Sequence, residues 1–581
     1  MCGIFALIDS GNQAPQTAFK GLSDIEYRGY DSWGIAYWKV DDRKWKIEKE
    51  TGFLPKNISL PCSIISLGHT RWATHGGVTK DNAHPHADCK NELVMVHNGI
   101  VENYLELKKT LRKHSFKSET DSEVVIHLIE EEFQKSKDLV KSVAKIFNIL
   151  EGLNAIVVSD GIQIIACKKG SPLVLGKLKT GFALASDPNA LLSLTDKLIF
   201  IEDNQMVVLN GELKLMNVKN LKEIEPKFTK VVWDYASSAL NNYKYFMEKE
   251  INEQPKVIET ILKNSKTSEE IAKEIRKAYG TYFIGCGTAA YACLAGTYLF
   301  SKFAKKHVNF SIGSEFNYIE HALTPKSLVV AVSQSGETID TIEPVNAAKA
   351  KKCKIVAMTN TLGSTLYRNA DYKLLLNAGV EKAVASTKAF TAMLSEMILL
   401  TFMVSGCKQI GIDILKKSAE ETKGIIRREK DLDPLVKIIA KENHIFCLGR
   451  GLSYPIALES ALKIKEITYM HAEGYAGGEL KHGPLALISK GTPVIVFVPS
   501  DETKDGILAN AKEVQARGAY VIGVGPENNP VFDFYFKVKD CGASSIIPHT
   551  VFAQIFAYKL ALKKGLNPDK PRNLAKSVVV R

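Results

Sequence analysis

The chain is 581 residues long, 45% hydrophobic and 24% charged, too long for one core and too apolar to stay disordered, so about two to four domains are expected. Its 76 Lys and Arg against 64 Asp and Glu give a net charge of +12, but the lysines lie at mixed spacing beside glutamates with no zinc finger or aromatic RNA-binding motif, which argues for a solvated surface and against a nucleic-acid partner. Ten cysteines are scattered without a C-x-x-C pair or zinc spacing, the first residues lack the blocks of a signal peptide, and no run of about 18 clean apolar residues occurs; a cytoplasmic protein without disulfides, metal or membrane contact is expected.

From residue 1 to about 217 short strands and hairpins dominate. "CSIISLGHTRWATHG", "ELVMVHNG", "AIVVSDGIQIIACKKG" and "LIFIEDNQMVVLNGELKL" all read as β, within an α+β unit. Residues 218–280 are charged and helix-prone, and Pro255 in "YFMEKEINEQPKVIETILKN" predicts a helix start. Beyond 280 strands alternate with long helices, and the alternation occurs twice. "TYFIGCGTAAYACLAGTYLF" is answered by "HIFCLGRGLSYPIALESALKI", "SLVVAVSQSGETIDTIEPV" by "TPVIVFVPSDETKDGILAN", and "CKIVAMTN" by "AYVIGVGP". A duplicated doubly wound domain is predicted, with its ligand at the carboxyl ends of the strands. "TAMLSEMILLTFMVSG" is broken by Ser395 and Glu396 and predicts a buried helix.

The chain opens "MCGIFALID". Removal of Met1 would leave Cys2 with a thiol and an α-amine of pKa about 7.7–8.0, nucleophile and base in one residue. An acyl-transfer nucleophile needs oxyanion donors, and "VMVHNGIVEN" offers Asn98-Gly99, a pair that also makes hairpin turns. Arg71 in "GHTRWATHGG" suits an amino-acid carboxylate. Asp121 in "SETDSEVV" suits an ammonium group, or Thr120 or Asp121 caps a helix. His84 and His86 in "NAHPHAD" form H-x-H without a third ligand and are read as loop residues.

In the second half "GCGTAA" imitates a dinucleotide turn, but the first acidic residue after it is Glu315, too far on for a ribose. "AVSQSGETID" runs a strand into Ser333, Gln334, Ser335, Gly336 and Thr338 as a helix begins, a phosphate cradle or a double cap. "VASTKAFT" adds Ser386 and Thr387. In "ESALKIKEITY", Glu459, Lys463 and Glu466 share one helical face, either a solvated ion-pair stripe or a buried group able to move a proton between ketose carbons. "AEGYAGGELKHGPLAL" delivers His482 on a loop.

Residues 1–217 resemble the class II glutamine amidotransferases through "MCGI", "YRGYDS", "HTRWATHG", "HNG" and "ETDSE". The resemblance implies an N-terminal-nucleophile hydrolase, an αββα sandwich in which Cys2 attacks glutamine, Asn98 and Gly99 hold the oxyanion, Arg71, Trp72, Thr74, His75 and Asp121 bind glutamine, and Arg28 supports them. The later motifs resemble paired sugar-isomerase (SIS) domains, α/β with parallel sheets. Taken in order with "STKAFT", "ELKHGPLAL" and "PRNLAKSV", the whole chain resembles the glutamine:fructose-6-phosphate aminotransferase family. That likeness implies an amidotransferase domain at 2–217, SIS domains at 267–408 and 436–571, and a tail at 572–581. It implies an isomerising aminotransferase, without cofactor, that makes glucosamine 6-phosphate from D-fructose 6-phosphate and L-glutamine, the first step of amino-sugar biosynthesis.

Thr288, Ser333, Gln334, Ser335, Thr338 and Ser386 would then bind the sugar phosphate. Lys576 would form an imine, Glu466 would move the proton, His482 would open the ring in a neighbouring subunit's site, and Glu459 and Lys463 would support the constellation. A homodimer and an ammonia channel gated by Trp72 are also implied. Ala289, where many relatives have serine, and Trp33 after "YRGYDS" depart from the pattern. The rival readings are another acceptor sugar and a sugar-phosphate-binding module without transfer activity.

Overall fold

The computed structural model describes residues 2–231 and 239–579. Two compact units divide the chain, Met1–Ser237 with Ala575–Arg581, and Ser238–Leu574.

In the first unit the apolar run after Cys2 becomes the strand Gly3–Asp9, buried along most of its length. It lies between Gly181–Ala185 and Ile65–Arg71 in an eight-stranded sheet, antiparallel to both. Val94–Gly99 lies between His86–Ala87 and Asn154–Ser159 in a seven-stranded sheet, also antiparallel. Because side chains alternate along a strand, one face of each sheet meets the other: Ile4, Ala6, Leu67 and Leu184 pack on Val94, Val96, Val157 and Val207. The outer face of the first sheet takes the helix Ala14–Asp24, where Gly21 leaves room for the Phe5 ring; a Cβ there would come within 2.3 Å of it. The outer face of the second takes Asp121–Ser136 and Leu139–Phe147 through Val125, Ile129, Val143 and Phe147. Four layers, αββα, result, as the resemblance implied.

In the second unit two five-stranded parallel sheets repeat one plan. Asn309–Ile312, Gly280–Gly285, Ser327–Ser333, Lys354–Thr359 and Tyr372–Leu375 lie side by side in that order. His471–Ala476, His444–Gly449, Pro493–Phe497, Tyr520–Gly525 and Phe534–Lys537 do the same. The segments paired by sequence occupy equivalent strands in the two sheets. In each, strand order reverses beside the first strand, opening a crevice at the carboxyl ends.

The apolar segment around Glu396 is the buried helix Lys388–Val404, and among the described residues no helix is long and apolar enough to cross a membrane. Ser268 Oγ donates to Glu396 at 2.8 Å, and burial pushes the Glu396 carboxyl up to about 7.

The helix expected to start at Pro255 starts nine residues earlier and spans Phe246–Lys263. Its cap comes from far along the chain: Asp569 accepts the N–H groups of Phe246 and Met247, each at 2.8 Å. Pro255 cannot donate to the Ile251 carbonyl. The neighbouring Gln254 Nε2 does so instead at 3.1 Å, and also donates to Gln554 at 2.8 Å.

Candidate active sites

The strands Gly3–Asp9, Ile65–Arg71 and Val94–Gly99 carry three parts of the first site to one end of the sandwich. Cys2 Sγ accepts the Trp72 N–H at 3.3 Å. Asn98 Nδ2 donates to the Cys2 carbonyl at 3.1 Å, while Asn98 Oδ1 accepts from His69 Nε2 at 3.1 Å. His69 Nε2 also faces the His97 carbonyl at 3.0 Å, so its proton sits on that nitrogen. Burial holds the ring neutral, with a pKa pushed down to about 3. The Asn98 amide is thereby oriented with its donors toward Cys2. Gly99 follows at φ +137°, and a Cβ there would lie 2.0 Å from the Leu153 carbonyl oxygen, so only glycine fits.

Asp121 opens the helix Asp121–Ser136, but Thr120 is its cap, accepting the Glu123 N–H. Asp121 is therefore released from capping; its buried carboxylate accepts the Val101 N–H at 2.7 Å and the Ser122 hydroxyl at 3.3 Å. Arg71, also buried, folds the turn after it by donating to the carbonyls of His75, Gly76 and Gly77. Burial lowers the Arg71 pKa, and Cys2, Asp31 and Asp121 oppose that shift. Trp72 meets Tyr30 edge-on at 5.7 Å and His75 meets Tyr104 at 5.4 Å, while Thr74 is exposed. Arg28 faces the nucleophile's backbone: its Nε donates to the Cys2 carbonyl at 3.2 Å and its Nη1 pairs with Asp187 at 3.1 Å.

Asp187, His69 and Asp31 were missed in the sequence. Asp31 accepts the Ala73 N–H at 2.9 Å and stands inside the quoted "YRGYDS", and His69 opens the quoted "HTRWATHG", so both carried a signal; Asp187 carried none. His84 and His86 are buried; His84 stacks on His69 at 4.2 Å and meets His86 edge-on at 4.5 Å. Trp33 packs edge-on against Phe19 of the outer helix at 6.2 Å.

In the second unit Ser333 ends its strand and Thr338 precedes the helix Ile339–Ala350, with their hydroxyls 3.1 Å apart. Ser333 Oγ accepts the Gly336 N–H and Ser335 Oγ the Glu337 N–H, each at 3.1 Å, and the Gln334 carbonyl accepts from Asn360 at 3.1 Å. Gly336 has φ +65° and no space for a Cβ, which would meet Ser364 Oγ at 2.1 Å. Ser386 donates to Glu381 at 2.9 Å, and Glu381 also takes the N–H groups of Thr387 and Ala389.

In the stripe Glu459–Lys463–Glu466 the first two residues are buried and Glu466 is half-buried, so it is not a solvated ion-pair face. On the helix Ser453–Thr468, Lys463 Nζ lies 3.3 Å from Glu459 and 2.6 Å from Glu466, and donates to Thr288 Oγ1 at 3.0 Å. Thr288 in turn donates to Glu459 at 3.2 Å. Thr288 begins the helix after the first strand of the first sheet, so the cluster joins the two repeats at the carboxyl end of Gly280–Gly285. Burial pushes Glu459 up to about 8, against the pull of Lys463. Burial lowers the Lys463 pKa and the two carboxylates raise it, with a net rise. Ala289, beside Thr288, is buried. His482 is exposed on the turn Glu479–His482, and among the described residues no hydrogen bond or ion pair joins it to this cluster. Lys576 belongs to the C-terminal stretch that groups with the first unit.

A glutamine amidotransferase domain model matches residues 69–193, and a SIS domain model matches residues 274–403 and 438–530. The glutamine–fructose-6-phosphate aminotransferases (isomerizing) of Methanothermobacter thermautotrophicus and Aquifex aeolicus are 37% and 39% identical, each over the full length of both chains. Among solved structures, the C-terminal domain of glucosamine-fructose-6-phosphate aminotransferase from Francisella tularensis is 34% identical, with a TM-score of 0.52 over 57% of this chain and 99% of that one. Tagatose-6-phosphate ketose/aldose isomerase from Escherichia coli, 21% identical with a TM-score of 0.50 over 57% of this chain and 96% of that one, shares the fold. Likeness along the whole length, through both halves, makes this chain a member of the glutamine–fructose-6-phosphate aminotransferase (isomerizing) family.

Proposed function

We propose that this enzyme takes ammonia from L-glutamine and uses it to convert D-fructose 6-phosphate into glucosamine 6-phosphate, releasing glutamate. In the first unit Cys2 Sγ attacks the glutamine side-chain carbonyl. The α-amine of Cys2, exposed once Met1 is removed, takes the thiol proton and delivers it to the departing ammonia. Asn98 and Gly99 stabilise the oxyanion, and water then cleaves the thioester. Arg71 and Asp121, with Trp72, Thr74 and His75, hold the amino-acid end, and Arg28 fixes the Cys2 backbone.

In the second unit Ser333, Gln334, Ser335 and Thr338, with Thr288 and Ser386, take the phosphate. His482 opens the ring; Lys576, from the C-terminal stretch, forms an imine with the ketose carbonyl with loss of water, ammonia displaces the Lys576 amine to leave the imine of ammonia at C2 as the electron sink, and Glu466 carries the proton between C1 and C2. Lys463 holds the Glu466 carboxyl at 2.6 Å, while burial, against the pull of Lys463, pushes the neighbouring Glu459 up to about 8, so the two carboxyls sit in different environments. The observation that carries the isomerase half is this buried cluster where a solvated stripe was the alternative. Domain limits of 2–217, 267–408 and 436–571 with a tail at 572–581, a cytoplasmic homodimer, and a Trp72-gated ammonia path belong to the same reading.

Incubation of the full chain with glutamine and fructose 6-phosphate should yield glutamate and glucosamine 6-phosphate in equal amounts, quantified by mass spectrometry. Cys2→Ala and Lys576→Ala should each abolish the amino sugar. Glutamate without amino sugar would point to another acceptor, and neither product from a chain lacking Met1 would point to a binding module.

A further inference from the structure

Away from the nucleophile, three segments of the first unit bring four metal-type ligand atoms to one point. Cys89 follows the strand His86–Ala87, His114 lies beyond the short helix Tyr104–Lys108, and His127 and Glu130 stand one turn apart on Asp121–Ser136. Cys89 Sγ is 3.3 Å from His114 Nδ1 and 3.7 Å from His127 Nδ1; the two Nδ1 atoms are 3.1 Å apart, and Glu130 Oε2 is 3.2 Å from the first and 3.1 Å from the second. The remaining edge, between sulfur and carboxylate, is within 4.8 Å. Ligands about 2.0–2.1 Å (N, O) and about 2.3 Å (S) from a tetrahedral centre are separated by roughly 3.3–3.6 Å. The five measured edges, 3.1–3.7 Å, lie within about 0.2 Å of that range.

Hydrogen bonding alone serves this arrangement badly. With a proton on each Nδ1, two N–H groups crowd each other; with one removed, the single N–H, for instance on His114, faces the other Nδ1, Glu130 Oε2 and Cys89 Sγ at 3.1–3.3 Å and can satisfy only one of them well. A cation takes both lone pairs, and thiolate and carboxylate balance a 2+ charge. One outer nitrogen has the carboxylate bond that ligating histidines usually have: His114 Nε2 is 3.3 Å from Glu131, while His127 Nε2 has Glu123 nearby at 3.7 Å, beyond hydrogen-bond distance. The His114, His127 and Glu130 side chains are buried, and Cys89 is exposed, leaving an approach for the ion.

We propose that Cys89, His114, His127 and Glu130 bind one divalent transition-metal ion of the zinc type in tetrahedral geometry. The ion ties the loop leading to Asn98-Gly99 to the helix that begins at Asp121, so it braces the glutamine site without touching substrate. Ligands 25, 13 and 3 positions apart match no short zinc motif, which is why the linear pattern hides them.

The test uses tag-free full-length protein, stripped by a chelator and titrated with Co(II). About one cobalt per chain should bind, with tetrahedral visible bands and a thiolate-to-cobalt charge-transfer band. Cys89→Ser should lose the charge-transfer band and Cys62→Ser should keep it. Cys2→Ala should also keep it, which separates this site from chelation by the N-terminal thiol and amine. Glu131→Gln, which leaves every ligand in place, should weaken cobalt binding by about 10- to 100-fold. Circular dichroism checks that each variant is folded. Absence of the charge-transfer band in the unaltered chain, or its survival in folded Cys89→Ser, overturns the proposal.

Discussion

Asn98 is held from both ends, by His69 at its oxygen and by the Cys2 carbonyl at its nitrogen. Asn98→Ala removes one oxyanion donor and should lower kcat for glutamate release by about 10²–10³ with KM little changed, measured with glutamine alone as substrate. Glu396 gives a different kind of residue-scale effect. Its carboxyl ordinarily titrates at 4.5 and is raised by burial to about 7. The folded state thus holds a proton that the unfolded chain has released. The contribution is fully present below pH 4.5, falls as pH rises through that window, and is gone above about 7. Over the window it amounts to roughly 3 kcal/mol. Denaturant titrations at pH 5 and pH 8 should show Glu396→Gln flattening this slope; an unchanged slope would place the titration elsewhere. The sequence marked Glu396 only as an interruption of an apolar run. Its partner Ser268 lies 128 positions away, where no local pattern reaches.

At the scale of elements, the helix Phe246–Lys263 depends on two side-chain substitutes for backbone partners. Asp569→Ala removes the cap and should destabilise the second unit by about 1–2 kcal/mol, read from its thermal transition. Gly99→Ala places a methyl group against the Leu153 carbonyl at the end of a strand. That strand must shift, and glutamate release should fall by more than in Asn98→Ala while sugar-phosphate binding persists. The strands bearing Cys2, Arg71 and Asn98 were legible as alternating or continuous apolar runs. The start of Phe246–Lys263 was not, because proline usually marks a helix start and here Gln254 repairs the bond it breaks. The metal cluster was equally hidden, since its ligands converge only after two loops and a helix have folded.

On the scale of the whole molecule, glutamine hydrolysis and ketose isomerisation should be separable by mutation. Cys2→Ala should abolish glutamate release yet leave exchange of a C1 hydrogen of fructose 6-phosphate with solvent. Glu466→Gln should do the reverse, lowering exchange by about 10²-fold or more. Deuterium incorporation by mass spectrometry, run beside glutamate release, checks both. Loss of both activities in either variant would contradict the division. The duplication was readable because each strand–turn–helix repeats its signature along the chain. That the cluster of Thr288, Glu459, Lys463 and Glu466 draws on both copies was not readable, since that depends on how the repeats face each other.

Asp569 caps a helix whose first residues were made 322 and 323 positions earlier. On the ribosome, at about 5–20 residues per second, that helix waits roughly 15–60 s for its partner. Throughout that interval the amino end of Phe246–Lys263 has four unpaired N–H groups and the face that will meet Gln554 stays uncovered. The first unit can close behind it as soon as its own strands emerge, whereas the sugar unit locks only when its last segment arrives. Shortening the message before codon 569 would therefore damage the beginning of that unit as much as its end, and a chaperone that shields the nascent chain has its longest task here.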